Sequence, residues 1–229
     1  MLTQWLAPVT VDEFVRSNLQ RAPFARPGVA AEITPRFSWD TLDRILALRP
    51  PLLVVAGGQQ HPEVAAPRSL DQLRPLLQRG LGLYLRGAQR VDPGLAELAA
   101  AFAVDLPGEV DLQLFVTPGG THGFSWHYDF EDVFIVQTAG VKDYYFRDNT
   151  VDRHTPVGQQ PDFAAVRREA TPLMTARLEA GDWLYLPARW WHMARCLADS
   201  LSISIGVFPR EGQGTRTSVG TIGCKPASP

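Results

Sequence analysis

The spacing of apolar positions changes near the middle of the chain. Through the first hundred residues they recur at helical intervals, broken by short apolar runs. Thr10 followed by Glu13 forms a capping box and opens a helix over about 11–20. Leu42, Ile45, Leu46 and Leu48 predict a second helix over 39–48. Ser69 with Gln72 opens a third, with Leu70, Leu73, Leu76 and Leu77 on its buried face. Pro75 falls early enough in it to be accommodated or to bend it. Asp92-Pro93 pairs an N-cap with proline at the first helical position and starts a helix that runs to about Val104. The short apolar runs 52–56 and 81–86 read as strands.

From residue 110 the alternation shortens to period two, with turn residues between segments. It predicts strands near 110–117, 125–129, 133–138, 141–147, 175–179, 183–186, 192–196 and 201–208, with Gly140, Gly181 and Pro187 at turns or strand ends. Many short, closely spaced strands point to a barrel or sandwich. The run 148–172, with Pro156, Gly158 and Pro161, is a longer insertion that leaves room for a short helix near 162–169. The chain is read as an N-terminal helix and strand region over 1–105 packing on a barrel over 106–209, with a flexible tail over 210–229.

Composition narrows the function classes. A hydrophobic content of 45% with 20% charged residues is that of an ordinary globular chain. The net charge of −2 supplies no field for nucleic acid or an acidic membrane surface, so neither is expected as a partner. The N-terminal residues show no basic segment followed by an apolar run, so no signal peptide is expected. No apolar stretch approaches a membrane span. Cys196 and Cys224 are too few for a disulfide framework and read as reduced thiols of a cytoplasmic protein. Nothing in the pattern marks a dimerisation helix, and a homodimer stays open.

The candidate chemistry sits in two fragments. His127-Tyr128-Asp129 places an imidazole and a carboxylate two residues apart, on one face of a strand. The second fragment runs glycine, five residues, proline, four residues, histidine, from Gly181 through Pro187 to His192. It reads as a strand, a proline-directed turn and a histidine opening the next strand. A lone His-x-Asp recurs by chance, and His192 alone would pass for a core histidine beside Trp190 and Trp191. Together, two imidazoles and one carboxylate make the ligand set of a non-haem Fe(II) oxygenase, with positions left for a cosubstrate and O2.

Lys142, just past the turn at Gly140, shares a strand face with Tyr144 and Phe146. It pairs either with an anion in a pocket or, at the surface, with a neighbour such as Asp143. Ser200, Ser202 and Ser204 alternate with Leu201, Ile203 and Ile205, which fits a lined cavity and equally a solvent-facing strand. Trp126, Tyr128, Arg189 and Trp190 flank the ligands and are candidates for substrate contact, although most such aromatics are simply core. The acidic residues Asp129, Glu131 and Asp132 are candidates to attract a basic group, although Asp129 is committed to the metal in the metal reading. His61, His122 and His154 lack partner spacing and are read as non-ligands.

The run from Gln113 through Thr117 and His127 to Asp129, continued through Asp132 and Gln137 to Lys142, resembles the Jumonji C-type branch of the cupin superfamily, in particular the cupin group that includes ribosomal oxygenases. The likeness extends over about 80–208. It implies a mainly β fold with flanking helices: a double-stranded β-helix, or jelly-roll, with an α/β N-terminal region. It implies Fe(II) held by His127, Asp129 and His192, and 2-oxoglutarate held through its C5 carboxylate by Lys142. Thr117 and Gln113 would line the same pocket, and Ser202 or Ser204 would add a hydroxyl. Ribosomal oxygenases usually have Asn where Gln113 stands, and the second cupin motif has Gly where Arg189 stands. The implied activity is 2-oxoglutarate-dependent hydroxylation of a protein side chain, peptide or small amino-acid-like substrate. Two rivals are a cupin whose metal acts as a Lewis acid in isomerase or lyase chemistry, and a non-catalytic metabolite-binding cupin.

Overall fold

The helical half of the sequence breaks into five short helices. In the computed structural model, which describes residues 1–106 and 108–208, α1 (Leu2–Leu6) and α2 (Val11–Ser17) precede the strand β1 (Phe24–Arg26). Then come α3 (Trp39–Ala47), β2 (Leu53–Ala56), β3 (Gln59–Gln60), α4 (Leu70–Gln78), β4 (Gly82–Arg86) and α5 (Pro93–Asp105). Both halves of the Thr10–Glu13 box form, at 3.1 Å from the Glu13 N–H to Thr10 Oγ1 and 2.8 Å from the Thr10 N–H to Glu13 Oε2. Ser38, Ser69 and Asp92 cap α3, α4 and α5. Pro75 lies inside α4 without ending it. Leu48 departs from the expected stripe: it is the C-cap of α3 and 63% exposed, because the helix has ended before its periodicity reaches that residue. The sequence pattern did not anticipate α1, β1 or the 3-10 turn Ala31–Phe37, each too short for a period to register.

The second half supplies β5 (Glu109–Thr117), β6 (Asp132–Ala139), β7 (Lys142–Arg147), β8 (Met174–Leu178), β9 (Trp183–Leu186), β10 (Trp191–Cys196) and β11 (Ser200–Phe208). All strand pairs are antiparallel. They form an eight-stranded sheet in the order β1-β9-β6-β11-β5-β4-β2-β3 and a three-stranded sheet in the order β10-β7-β8. This is the two-sheet arrangement of a jelly-roll, with the N-terminal strands extending both edges of the larger sheet. The insertion carries a 3-10 turn at Phe163–Arg168 where a short helix was expected. The expected tail lies outside the described residues. No helix among the described residues is long and apolar enough to cross a membrane.

One expected strand, 125–129, is a single rung instead. His127 and His192 exchange backbone hydrogen bonds of 3.1 and 2.8 Å and pair as an isolated bridge. The ladder stops because the Asp129 carbonyl is taken by the Arg189 N–H at 2.7 Å, and Arg189 stands at φ 67°, off the extended path of a strand.

The main core lies between the helices and the outer face of the large sheet. Alternation along β11 sends Leu201, Ile203 and Ile205 into it. Its centre is aromatic: Trp183, fully buried, stacks on Phe134 with ring centroids 5.8 Å apart, and Trp5 and Tyr185 close around them. Truncating a side chain of this size in such a core costs about 3–5 kcal/mol. This slab fixes the opposite face of β5, β6 and β11, which carries the site.

Candidate metal centre

A cavity of about 340 Å³ opens between the two sheets. Its wall takes Gln113, Phe115 and Thr117 from β5, Lys142 and Tyr144 from β7, His192, Ala194 and Cys196 from β10, and Ser202 and Ser204 from β11. Each set alternates along its strand, so period two places all of them on the inward face. Ser202 and Ser204 therefore line a cavity rather than face solvent.

At one end, one ligand atom each from His127, Asp129 and His192 lies within 4.8 Å of the others. The His192 Nε2 is 3.4 Å from Asp129 Oδ2, and the two imidazole rings are 4.2 Å apart. Each imidazole is oriented from behind. The Nδ1 of His127 meets the Ser125 carbonyl at 2.8 Å, and that of His192 meets the Trp190 carbonyl at 2.9 Å. With Nδ1 protonated to donate there, the neutral form of each ring presents its Nε2 lone pair to the cavity.

Burial, and secondarily the neighbouring His192, hold His127 down to about 4, although Asp129 and the Ser125 carbonyl oppose the shift. Burial also works against charge on His192, but its hydrogen bond and charge contact with Asp129 outweigh this and raise it. Asp129 is lowered: burial opposes its ionisation, and the His192 hydrogen bond and the charges of both imidazoles overcome that. The set thus offers a neutral imidazole and an ionised carboxylate. A divalent first-row cation fits this donor set, with three protein ligands leaving other positions open.

At the other end Lys142 is 4% exposed and donates to Ser202 Oγ at 2.8 Å, with the Phe115 ring centroid 5.9 Å away. Burial pushes its ammonium below the usual lysine range. Asp143, the alternative partner, is engaged by Arg177 at 2.7 and 3.1 Å on the outer side of the sheet. No carboxylate among the described residues pairs with Lys142. Thr117 and Ser204 line the cavity beside it.

Gln113 also lines the cavity, but both ends of its amide are engaged. Its Oε1 accepts from the Tyr84 hydroxyl at 3.1 Å, and its Nε2 donates to Glu131 Oε1 at 3.1 Å. Glu131 is buried, and burial together with the Asp129 charge pushes it up to about 8. Asp132 accepts from the Tyr185 hydroxyl at 2.5 Å and from the Ala188 N–H at 3.2 Å. The acidic run 129–132 is therefore an internal network and not a surface that attracts a basic group.

The four flanking residues expected at the substrate are not among the cavity lining. Tyr128 is buried against Trp191 and Ala165 and donates to Asp152, and Trp126 packs on the same cluster. Trp190 is buried in the cluster formed by the small sheet and its neighbours. Arg189 donates to the carbonyls of Arg153 and Thr155 at 2.9 and 2.6 Å. Trp126 and Tyr128 adjoin the inward His127 and face away from it by the same alternation, whereas Arg189 and Trp190 precede β10 and are held by the 148–172 insertion and the small-sheet cluster. His61 pairs with Glu63 at 2.9 Å, and His122 and His154 are exposed, all apart from the ligand group. The lining instead takes Pro51, Leu53 and Val55 with Tyr84 and Arg86. Tyr84 and Arg86 alternate on β4, the one signal in the sequence that would have marked them.

The sequence pattern of the JmjC domain matches residues 88–214. The chain is 27% identical over 229 residues to ribosomal oxygenase 1 of Gallus gallus, covering 93% of this chain and 37% of that protein. It is 29% identical over 131 residues to the bifunctional lysine-specific demethylase and histidyl-hydroxylase NO66 of Dictyostelium discoideum, covering 57% of this chain and 25% of that one. Among solved structures, it superposes on YcfD, a ribosomal oxygenase from Escherichia coli in complex with cobalt and 2-oxoglutarate. The TM-score is 0.63 at 20% identity, over 89% of this chain and 53% of that one, which is a likeness of fold. The chain spans well under half the length of these curated relatives. With the domain pattern matched over more than half of its length, the chain belongs to the JmjC domain family.

Proposed function

We propose that this chain is an Fe(II)- and 2-oxoglutarate-dependent oxygenase that hydroxylates a protein side chain, a peptide or a small amino-acid-like substrate. The observation that carries the reading is Lys142: a buried ammonium without a carboxylate partner among the described residues, in the same cavity as a two-histidine, one-carboxylate set. A buried cation without a counter-charge is costly to hold, which favours a cavity that receives an anion. 2-Oxoglutarate is an anion at one end and a metal chelator at the other. The relatives named as ribosomal oxygenases and as a histidyl-hydroxylase favour a protein side chain as substrate.

In this reading His127, Asp129 and His192 hold the metal, and Lys142 with Ser202 holds the distal carboxylate of the cosubstrate. When bound, iron, O2 and 2-oxoglutarate supply the oxidising power for C–H hydroxylation, with succinate and CO2 released. The protein supplies orientation and dryness. The Ser125 and Trp190 carbonyls fix both imidazole tautomers. Val133, Ile135 and Phe115 keep the wall apolar, which strengthens the Lys142 contact and limits water at the reacting centre.

The test is anaerobic titration of the Fe(II)-loaded chain with 2-oxoglutarate, read in the visible spectrum. A charge-transfer band that is absent in His127→Ala supports bidentate chelation at this centre. Bound iron without such a band refutes it and favours Lewis-acid chemistry or a binding role.

A further inference from the structure

Arg189 stands where the second cupin motif carries glycine, and the backbone there needs one: φ is 67°, a left-handed conformation that a long side chain adopts at a cost. A residue kept under that strain requires a compensating role, and three contacts supply it. Its N–H holds the carbonyl of Asp129 at 2.7 Å. Its guanidinium donates to the carbonyls of Arg153 and Thr155 in the 148–172 insertion. It also lies over the Phe130 ring, 4.8 Å from the centroid, next in sequence to Asp129. The same insertion reaches the other side of the centre through Phe163, whose ring is 6.4 Å from His127 and 6.5 Å from Trp191.

We infer that Arg189 is a positioning residue: it ties the 148–172 insertion to the backbone of Asp129 and so fixes the carboxylate and His127 for the cation. The inference rests on the metal reading above. It replaces the expectation that Arg189 meets substrate, since its contacts are with the chain itself. A glycine at 189 would relieve the backbone and keep the N–H to Asp129, but it would cut the tie to the insertion. The side chain, and not the conformation, is then what the site depends on.

The test uses Co(II) as the probe, titrated into the wild-type chain, Arg189→Gly and Arg189→Lys, and followed by calorimetry and by the ligand-field absorption of the bound ion. Trypsin cleavage of the metal-free chain at Arg153, Arg167 and Arg168 is measured alongside. The expected result for Arg189→Gly is Co(II) affinity weaker by about tenfold or more, the usual scale for outer contacts of metal ligands. A changed Co(II) spectrum and faster cleavage within the insertion should accompany it. Both carbonyls are held by Nη1 alone, so Arg189→Lys, with its charge but a shorter reach and no guanidinium plane over Phe130, falls between the two. It also provides the reading if the glycine variant does not fold. Unchanged Co(II) affinity and spectrum in both variants would overturn the inference while leaving the metal reading in place. A wild-type chain that takes up no Co(II) would overturn both.

Discussion

Replacing Lys142 with Met should act in opposite directions on the empty and the liganded protein. The two side chains are similar in length, so the swap removes the charge with little change in packing. In the metal-free chain without cosubstrate, Lys142 is a buried cation whose one hydrogen bond is to Ser202 Oγ. Holding such an ion out of water costs several kcal/mol even after relaxation. The charge-assisted bond to Ser202 returns about 1.5–3 kcal/mol, and its loss leaves a buried hydroxyl that can turn elsewhere. The balance favours Met by about 1–3 kcal/mol, and a chain of this size shifts its Tm by about 2–4 °C per kcal/mol. Calorimetric melting of the metal-free protein should therefore show a higher Tm for Lys142→Met. With cobalt and 2-oxoglutarate the sign reverses, because the distal carboxylate loses its partner in a desolvated site. At about 3–5 kcal/mol for breaking such a pair, 2-oxoglutarate binding by calorimetry should weaken at least about a hundredfold. A variant that melts lower when empty, or binds 2-oxoglutarate as tightly as wild type, would refute the reasoning: the first by showing the charge already compensated, the second by showing it unused.

Three further outcomes follow from other parts of the structure. His127→Ala should abolish tight Co(II) binding while leaving the far-ultraviolet circular dichroism unchanged, since the residue contributes one bridge and no strand. Gly206→Ala should destabilise the fold by about 1–3 kcal/mol in urea melts, because the added methyl meets Glu131 Cγ at 3.2 Å inside a filled network. Glu169 should supply part of the acid limb of stability. Burial opposes its charge, but hydrogen bonds from the N–H and hydroxyl of Thr150 and from the N–H groups of Thr171 and Ala170 outweigh it and hold it at about 2, below the usual 4.5. A carboxylate lowered on folding stabilises above its unfolded pKa and loses that contribution as pH falls through the folded one. Unfolding measured from pH 5 to pH 2 should be less acid-sensitive in Glu169→Gln than in wild type, and identical slopes would refute this.

Legibility in the sequence tracked the range of the interaction. Helix starts were readable because Thr10, Ser69 and Asp92 act on backbone atoms three residues away. Which side chains share a face on β7 and on β11 was readable because alternation needs no partner, and Lys142, Ser202 and Ser204 meet in one cavity. Alternation alone does not say which face is inward; that is set by the helix-side core, which takes Leu201, Ile203 and Ile205 and leaves Ser202 and Ser204 to the cavity.

Tyr128 lies off the cavity by the same rule that brings His127 and Asp129 into it. Proximity to a ligand along the chain is not proximity in space, since a period of two sends adjacent side chains to opposite sides. Alternation on β4 sets Tyr84 and Arg86 on one face but does not by itself bring them to the site. They reach the site only because β4 pairs with β5 in a register that sets Tyr84 against Phe115 and Arg86 against Gln113. That pairing is a property of the assembled sheet, and no local pattern in 82–86 specifies it. Arg189 combines both difficulties. Its residue type is at odds with its conformation, and the partners that offset the strain lie about 35 positions away in an irregular loop. A sequence departs from a local rule where a distant contact outweighs it, so such departures are where the structure adds most to what the chain already says.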